Sequence, residues 1–227
     1  AYPVLLSTRE HGAPIPTYPI ISQFNHVLVY VEIEGVPTLL DAGNPYRPIG
    51  LLRTNSLNKL GWVVIEENPQ WLEVNGQLSR EVFLQTMELS SEGSLSGDFS
   101  YSADSYQGAF ARYVCEKESQ NEFLTGLLED ISEQMTIDSI EVSDLEAVEK
   151  SLRISSKVEL EDMATLSGDF IYLNIPLATT FGENPFKQKK REYPVEMVAP
   201  FQERHILNIK LPEGYTLEAP PEPVNNI

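Results

Sequence analysis

Phe24-Asn-His-Val-Leu-Val-Tyr-Val-Glu-Ile33 is the strongest strand signal in the chain. Valines 27, 29 and 31 recur with period two, the mark of a pleated strand. Glu34-Gly35 follows as a tight turn, and Thr38 to Asp41 returns as a second strand. Asn44-Pro-Tyr-Arg-Pro48 ends it with turn chemistry. With the turn at Glu34-Gly35, Ile33 faces Val36 and position 28 faces position 41. His26 lies two residues from position 28, so it shares a face with Asp41 as a diagonal neighbour, about 7–8 Å away. A carboxylate oriented on a histidine holds its tautomer and stabilises the imidazolium. Two readings stay open on spacing alone: the base and orienter of a nucleophilic triad, or a buried polar pair that locks the hairpin.

Upstream of this hairpin, residues 1–7 read as a short buried strand. Residues 8–23, with Gly12, Pro14, Pro16 and Pro19, read as an irregular loop. Downstream, strands are predicted at Trp62–Ile65, Trp71–Val74, Val82–Leu89 and Leu95–Tyr101. The period then changes. Tyr106, Phe110, Tyr113 and Lys117 fall at helical spacing, and Ser119-Gln-Asn-Glu122 matches a capping box. The second helix takes Phe123, Leu127, Leu128, Ile131 and Met135 as its apolar set. Strands resume at Ser139–Val142, Leu152–Glu161, Phe170–Ile175 and Ile206–Leu211. Pro212-Glu-Gly214 reads as a turn and Tyr215–Leu217 as a last short strand. The sum is a β-dominated α+β chain. An antiparallel sheet at 1–75 is followed by a β-rich, sandwich-like domain at 76–227 with an inserted helical pair. The boundary is placed near Asn75-Gly76.

Of 227 residues, 41% are hydrophobic and 22% charged, enough for a real core. No stretch approaches the ~20 apolar residues of a membrane span. Lys and Arg total 16 against 34 acids, a formal net charge of −18. Such a field repels phosphate, so nucleic acid is not expected as a partner. Leu95-Ser-Gly-Asp-Phe-Ser-Tyr101 is echoed by Leu166-Ser-Gly-Asp-Phe-Ile-Tyr172. One Asp per copy is too few oxygen ligands for calcium, so the echo reads as turn chemistry before an aromatic strand start. The opening at Ala1-Tyr-Pro-Val-Leu-Leu6 reads as the inside of a fold, so a fragment or processed product is expected. Glu218 to Ile227 reads as an extended polar tail.

A nucleophile is hard to find. Cys115, the single cysteine, is read as a small buried residue on a helix far from His26. Its neighbour Glu116 would raise a thiol pKa rather than lower it. Ser7 and Ser22 lack an elbow motif. His11 is expected in a loop and His205 on the surface. Trp62 and Trp71 are expected to pack rather than line an acceptor groove. Lys187, Lys189, Lys190 and Arg191 form the one basic run, read as a solvated loop.

The runs Ala1-Tyr-Pro-Val-Leu-Leu-Ser-Thr-Arg-Glu-His-Gly12, Gln23-Phe-Asn-His-Val-Leu-Val-Tyr-Val31 and Leu39-Leu-Asp-Ala42 resemble the second half of a bacterial transglutaminase-like, papain-like cysteine core. Asn184-Pro-Phe-Lys187, Arg191-Glu-Tyr-Pro194 and Leu211-Pro-Glu-Gly-Tyr215 are similar to the β-rich domain of unknown function that follows such cores in Bacteroidetes-type bacteria. The resemblance implies that His26 is the general base, that Asp41 orients it, and that the nucleophilic Cys sits on a helix upstream of Ala1. It implies thiol acyl transfer on a protein or peptide substrate in the intact parent: amide hydrolysis, deamidation or crosslinking. The present chain alone is then expected to be inactive. It implies a periplasmic or extracellular location, the remaining N-terminal part of the parent as a partner, and no cofactor or metal. Gly43-Asn44 departs from the family, which often has Thr after the Asp-Ala step. The competing expectation is a non-catalytic β-rich binding or assembly module of the bacterial cell envelope.

Overall fold

The computed structural model describes residues 1–128, 135–175, 190 and 195–218. Strands account for 43% and helices for 14% of the described residues, so the chain is a β-dominated α+β protein.

The first sheet holds β1 (Tyr2–Leu6), β2 (His26–Ile33), β3 (Val36–Leu40), β4 (Lys59–Val63) and β5 (Gln70–Val74), in the order β3-β2-β1-β4-β5. All its pairs are antiparallel. The turn between β2 and β3 takes Glu34 at φ 52° and Gly35 at φ 80°. Two left-handed residues in a row match the right-handed twist of the flanking strands. The register is the predicted one, with Ile33 opposite Val36 and Val29 opposite Leu40. Val4, Leu6, Leu28, Val63 and Val74 bury one face against Leu52 and Leu57. Side chains of this size each contribute about 1.5–3 kcal/mol on burial. The valines that give β2 its pattern point the other way: Val27 is 55% and Val29 41% exposed. On that outer face Trp62 and Trp71 form a cross-strand pair with ring centroids 5.1 Å apart. Trp71 Nε1 donates to Pro16 O at 2.9 Å, which ties the proline-rich loop down.

The second sheet begins with β6 (Ser79–Leu89) and β7 (Leu95–Ala103). Helices α1 (Ser105–Lys117) and α2 (Gln120–Leu128) follow, then β8 (Met135–Ser143) and β9 (Leu152–Leu160). A separate hairpin of β10 (Ala164–Ser167) and β11 (Phe170–Leu173) precedes β12 (Phe201–Lys210). The sheet order is β12-β6-β7-β9-β8, and β12 runs parallel to β6. Alternation along β6 is complete: every second residue from Ser79 to Leu89 is buried. Phe83, Met87, Phe99, Tyr101, Leu152 and Ile154 pack there with Ala111 and Cys115 of α1 and with Phe123, Leu124 and Leu128 of α2. Ser119 Oγ accepts the Glu122 N–H at 3.1 Å, so the predicted cap starts α2.

Arg112 of α1 is 1% exposed. Its Nε donates to Leu145 O, and its Nη2 reaches the carbonyls of Asp144, Ala147 and Lys150, at 2.7–3.1 Å. One guanidinium therefore holds the 144–150 turn onto α1. The chain entering β12 crosses Gly76 so closely that a Cβ there would meet Ala199 Cβ at 2.7 Å.

The two echoed stretches adopt different structures. Leu95–Phe99 lies inside β7, whereas Leu166–Phe170 makes the β10–β11 turn with Gly168 at φ 60°. Three expectations need correction. Met135 starts β8 rather than extending α2. Tyr215–Leu217 forms no strand; the Tyr215 N–H instead donates back to Pro212 O at 3.2 Å, closing the predicted turn. His205 is half-buried rather than a free surface residue: it stacks on Phe83 at 4.7 Å and pairs with Glu203, drawn partly inward by the alternation of β12. Ile131, Lys187, Lys189, the 184–187 and 191–194 motifs and the 219–227 tail lie outside the described residues. Among the described residues no helix is long and apolar enough to cross a membrane.

Candidate functional site

A cavity of about 640 Å³ opens between the end of the first sheet and helix α1. His26, the first residue of β2, and Asp41, just past β3, both line it. The paired register ends at Val29–Leu40; continued by one residue it puts them on one face, and both line this cavity. The segment 41–58 contributes Gly43, Asn44, Arg47, Arg53 and Thr54. Across from them α1 presents Tyr106, Phe110 and Tyr113, whose i, i+4, i+7 spacing forms one helical stripe. Tyr46 meets Tyr113 edge to face at 5.8 Å, and the Ile49 N–H donates to Glu149 Oε1 at 2.9 Å. These contacts fix the distance between the two walls.

Asp41 is held from several sides. Its Oδ1 accepts the Gly43 N–H at 3.2 Å. A Cβ on residue 43 would sit 3.2 Å from that oxygen, so glycine permits the tight return. Arg47 Nη1 and Arg53 Nε each lie 3.6 Å from Asp41 Oδ2, which accepts no hydrogen bond. Arg47 is 8% exposed and spends a donor on Leu51 O; its buried Nε has no partner. Arg53 is 43% exposed and reaches Ser56 Oγ through Nε.

Arg53 also reaches His26. Its Nη2 lies 2.7 Å from both Nδ1 and Nε2. A neutral imidazole offers one lone pair to that donor, whereas an imidazolium offers none. His26 is accordingly held below the usual histidine range, first by burial and then by the Arg53 charge, with Asp41 opposing. The carboxylate that would orient the ring therefore meets a guanidinium first, and Arg53 stands between the two predicted partners.

Cys115 is buried in the second core, and burial pushes its thiol up to about 11. It does not line the cavity. His11 bonds locally to Ser7 Oγ at 3.1 Å and also lies elsewhere. Among the described residues no group of three or more His, Cys, Asp or Glu side chains is placed to hold a metal ion. The cleft thus offers a neutral imidazole, a carboxylate, two cations and an aromatic wall. Arg47 and Arg53 escape sequence reasoning because they lie in a segment without periodicity. The available signal is that two of only 16 basic residues fall within the loop that follows Asp41.

No curated protein and no solved structure gives a match to the chain. Residues 169–226 match the family described as a domain of unknown function with solved structure, DUF3858. That domain is associated with transglutaminase-like proteins. The matched span contains β11 and β12 and none of the cleft residues.

Proposed function

We propose that this chain is the base-bearing half of a transglutaminase-like thiol acyl-transfer protein that acts outside the cytoplasm on peptide or protein amides. The observation that carries the reading is the placement of His26 and Asp41 on one face at one cleft, upstream of a DUF3858 domain. In this reaction a thiolate attacks the amide carbonyl, His26 takes up and then delivers the proton to the leaving amine, and Asp41 orients the ring. Water, or an amine for crosslinking, then releases the acyl group. Cys115 is unsuited to the first step, being buried with a raised pKa. The nucleophile is assigned to a helix encoded upstream of Ala1. The 227-residue chain alone is accordingly expected to be inactive.

A second reading is favoured by Arg53, which occupies the gap that a working triad needs closed. In it the chain is a binding module of the bacterial cell envelope, and the His26–Arg53–Asp41 cluster only braces the loop. An amide-release assay separates the two. The chain extended upstream through a Cys-bearing helix should turn over, His26→Ala should abolish turnover, and Cys115→Ser should leave it nearly unchanged. Turnover by the 227-residue chain alone, loss of activity with Cys115→Ser, or no turnover by the extended protein would sink the acyl-transfer reading.

A further inference from the structure

We infer that Arg53 selects for peptides that carry a carboxylate, and that taking up this carboxylate draws its guanidinium out from between His26 and Asp41. The inference builds on the proposed acyl-transfer site and names its substrate class.

Charge comes first. Arg47 and Arg53 face the cleft, and Asp41 is the sole carboxylate among its lining residues, so with His26 neutral one positive charge is left over. The chain as a whole is strongly acidic, at −18, so the cleft is a local exception. The two arginines differ in role. Arg47 is 8% exposed and tied to Leu51 O, which fixes it under Asp41. Arg53 is 43% exposed and can reach an incoming group without uncovering the core. In the free cleft its partners are a neutral imidazole, a hydroxyl and a carboxylate 3.6 Å away. A ligand carboxylate offers paired, charge-assisted bonds, roughly twice as strong as neutral ones. It therefore competes well against His26 for the guanidinium. Asp41 keeps a cation at Oδ2 when Arg53 leaves, because Arg47 stays. His26 then has the carboxylate on its own face within diagonal reach.

The opposite wall supplies the rest of the preference. Phe110 is 59% and Tyr113 47% exposed, and both line the cleft. They offer a ledge to an aromatic or aliphatic side chain next to the acidic group. The ligand class is thus a short peptide with an apolar residue beside a carboxylate. That carboxylate is either an acidic side chain or the chain terminus.

The test uses the 227-residue chain with ¹⁵N-labelled histidine and three probes: acetyl-Phe-Gln-amide, acetyl-Phe-Glu-amide and acetyl-Phe-Gln with a free carboxyl end. Affinities come from titration and the His26 pKa from imidazole resonances. At least one acidic probe should bind about tenfold or more tightly than the neutral amide. Which of the two does so identifies the source of the carboxylate. Saturation should raise the His26 pKa, and Asp41→Asn should remove most of that rise. Arg53→Gln should erase the discrimination and raise the His26 pKa without ligand. Equal affinities in the wild type, no binding of any probe, or discrimination that survives Arg53→Gln would overturn the inference. Absence of amide release by the extended protein bears on the acyl-transfer reading alone, since these readouts need no turnover.

Discussion

Replacing Arg112 by Met should cost about 3–5 kcal/mol, although Arg112 lies outside the cleft and touches no proposed substrate. The magnitude follows from its contacts. The guanidinium is 1% exposed and satisfies the carbonyls of Asp144, Leu145, Ala147 and Lys150. Hydrogen bonds to a charged donor contribute about 1.5–3 kcal/mol each, so a simple sum overshoots. Two effects reduce it: the buried cation's own desolvation cost disappears, and the freed turn admits water to some carbonyls. Met fills the same volume, so little of the loss is a cavity. Urea unfolding read by far-UV circular dichroism should show a midpoint lower by about 1.5–2.5 M, for a slope of about 2 kcal/mol/M. Arg112→Lys should recover only a minor part, because an ammonium cannot present Nε and Nη donors in one plane. Hydrogen exchange should speed up first in 144–150. A loss under about 1 kcal/mol for Arg112→Met, or full rescue by Lys, would refute the account of α1 as pinned by this fork.

Three further outcomes are expected. Gly97→Ala should destabilise by about 2–4 kcal/mol, because its Cβ would lie 2.2 Å from Thr86 O, whereas Gly168→Ala, in the second copy of the same string with open space around it, should cost only about 1 kcal/mol; paired thermal melts compare them. Cys115, with its pKa raised to about 11, should resist a bulky maleimide at pH 8 and react on denaturation, which mass spectrometry reads directly. His26 titrates below its usual value, so between its folded pKa and the ordinary 6.5 the unfolded chain binds more protons. Stability should therefore rise with pH across that window and fall on acidification below 6.5. Arg53→Gln should shrink this dependence, and urea midpoints measured from pH 5 to 7.5 check the sign.

The hairpin was legible because each of its determinants is local. A period-two run, a turn that tolerates two left-handed residues and a return strand fix the register without other parts of the chain. His26 and Asp41 share a face for the same reason. Helix α1 and the Ser119 cap were legible from spacing and side-chain chemistry. Arg53 was not, because its position depends on how residues 41–58 fold back over the sheet. Met135 misled because an apolar residue four positions after Ile131 satisfies a helical count as well as a strand start. The inward turn of His205 and the parallel pairing of β12 both depend on β6, a partner no local pattern names. Tyr215–Leu217 has strand composition but pairs with no strand among the described residues, and composition alone does not make a sheet.

The parallel pairing of β12 with β6 also bears on the order in which the molecule assembles. Glu88 and Lys210, joined across these strands at 2.8 Å, are 122 positions apart. The antiparallel ladders β6–β7, β7–β9 and β8–β9 use nearer segments, so they close smaller loops and can form while a ribosome is still making the chain. Until residues 201–210 emerge, one side of β6 remains an unpaired edge over an exposed core side chain, Phe83, that His205 later covers. Such an edge is a template for strand exchange with other nascent copies. Chains truncated before Phe201 should therefore aggregate during synthesis, and supplying residues 201–210 as a separate peptide should suppress it. Strand β12 acts as the fold's own protection against self-association.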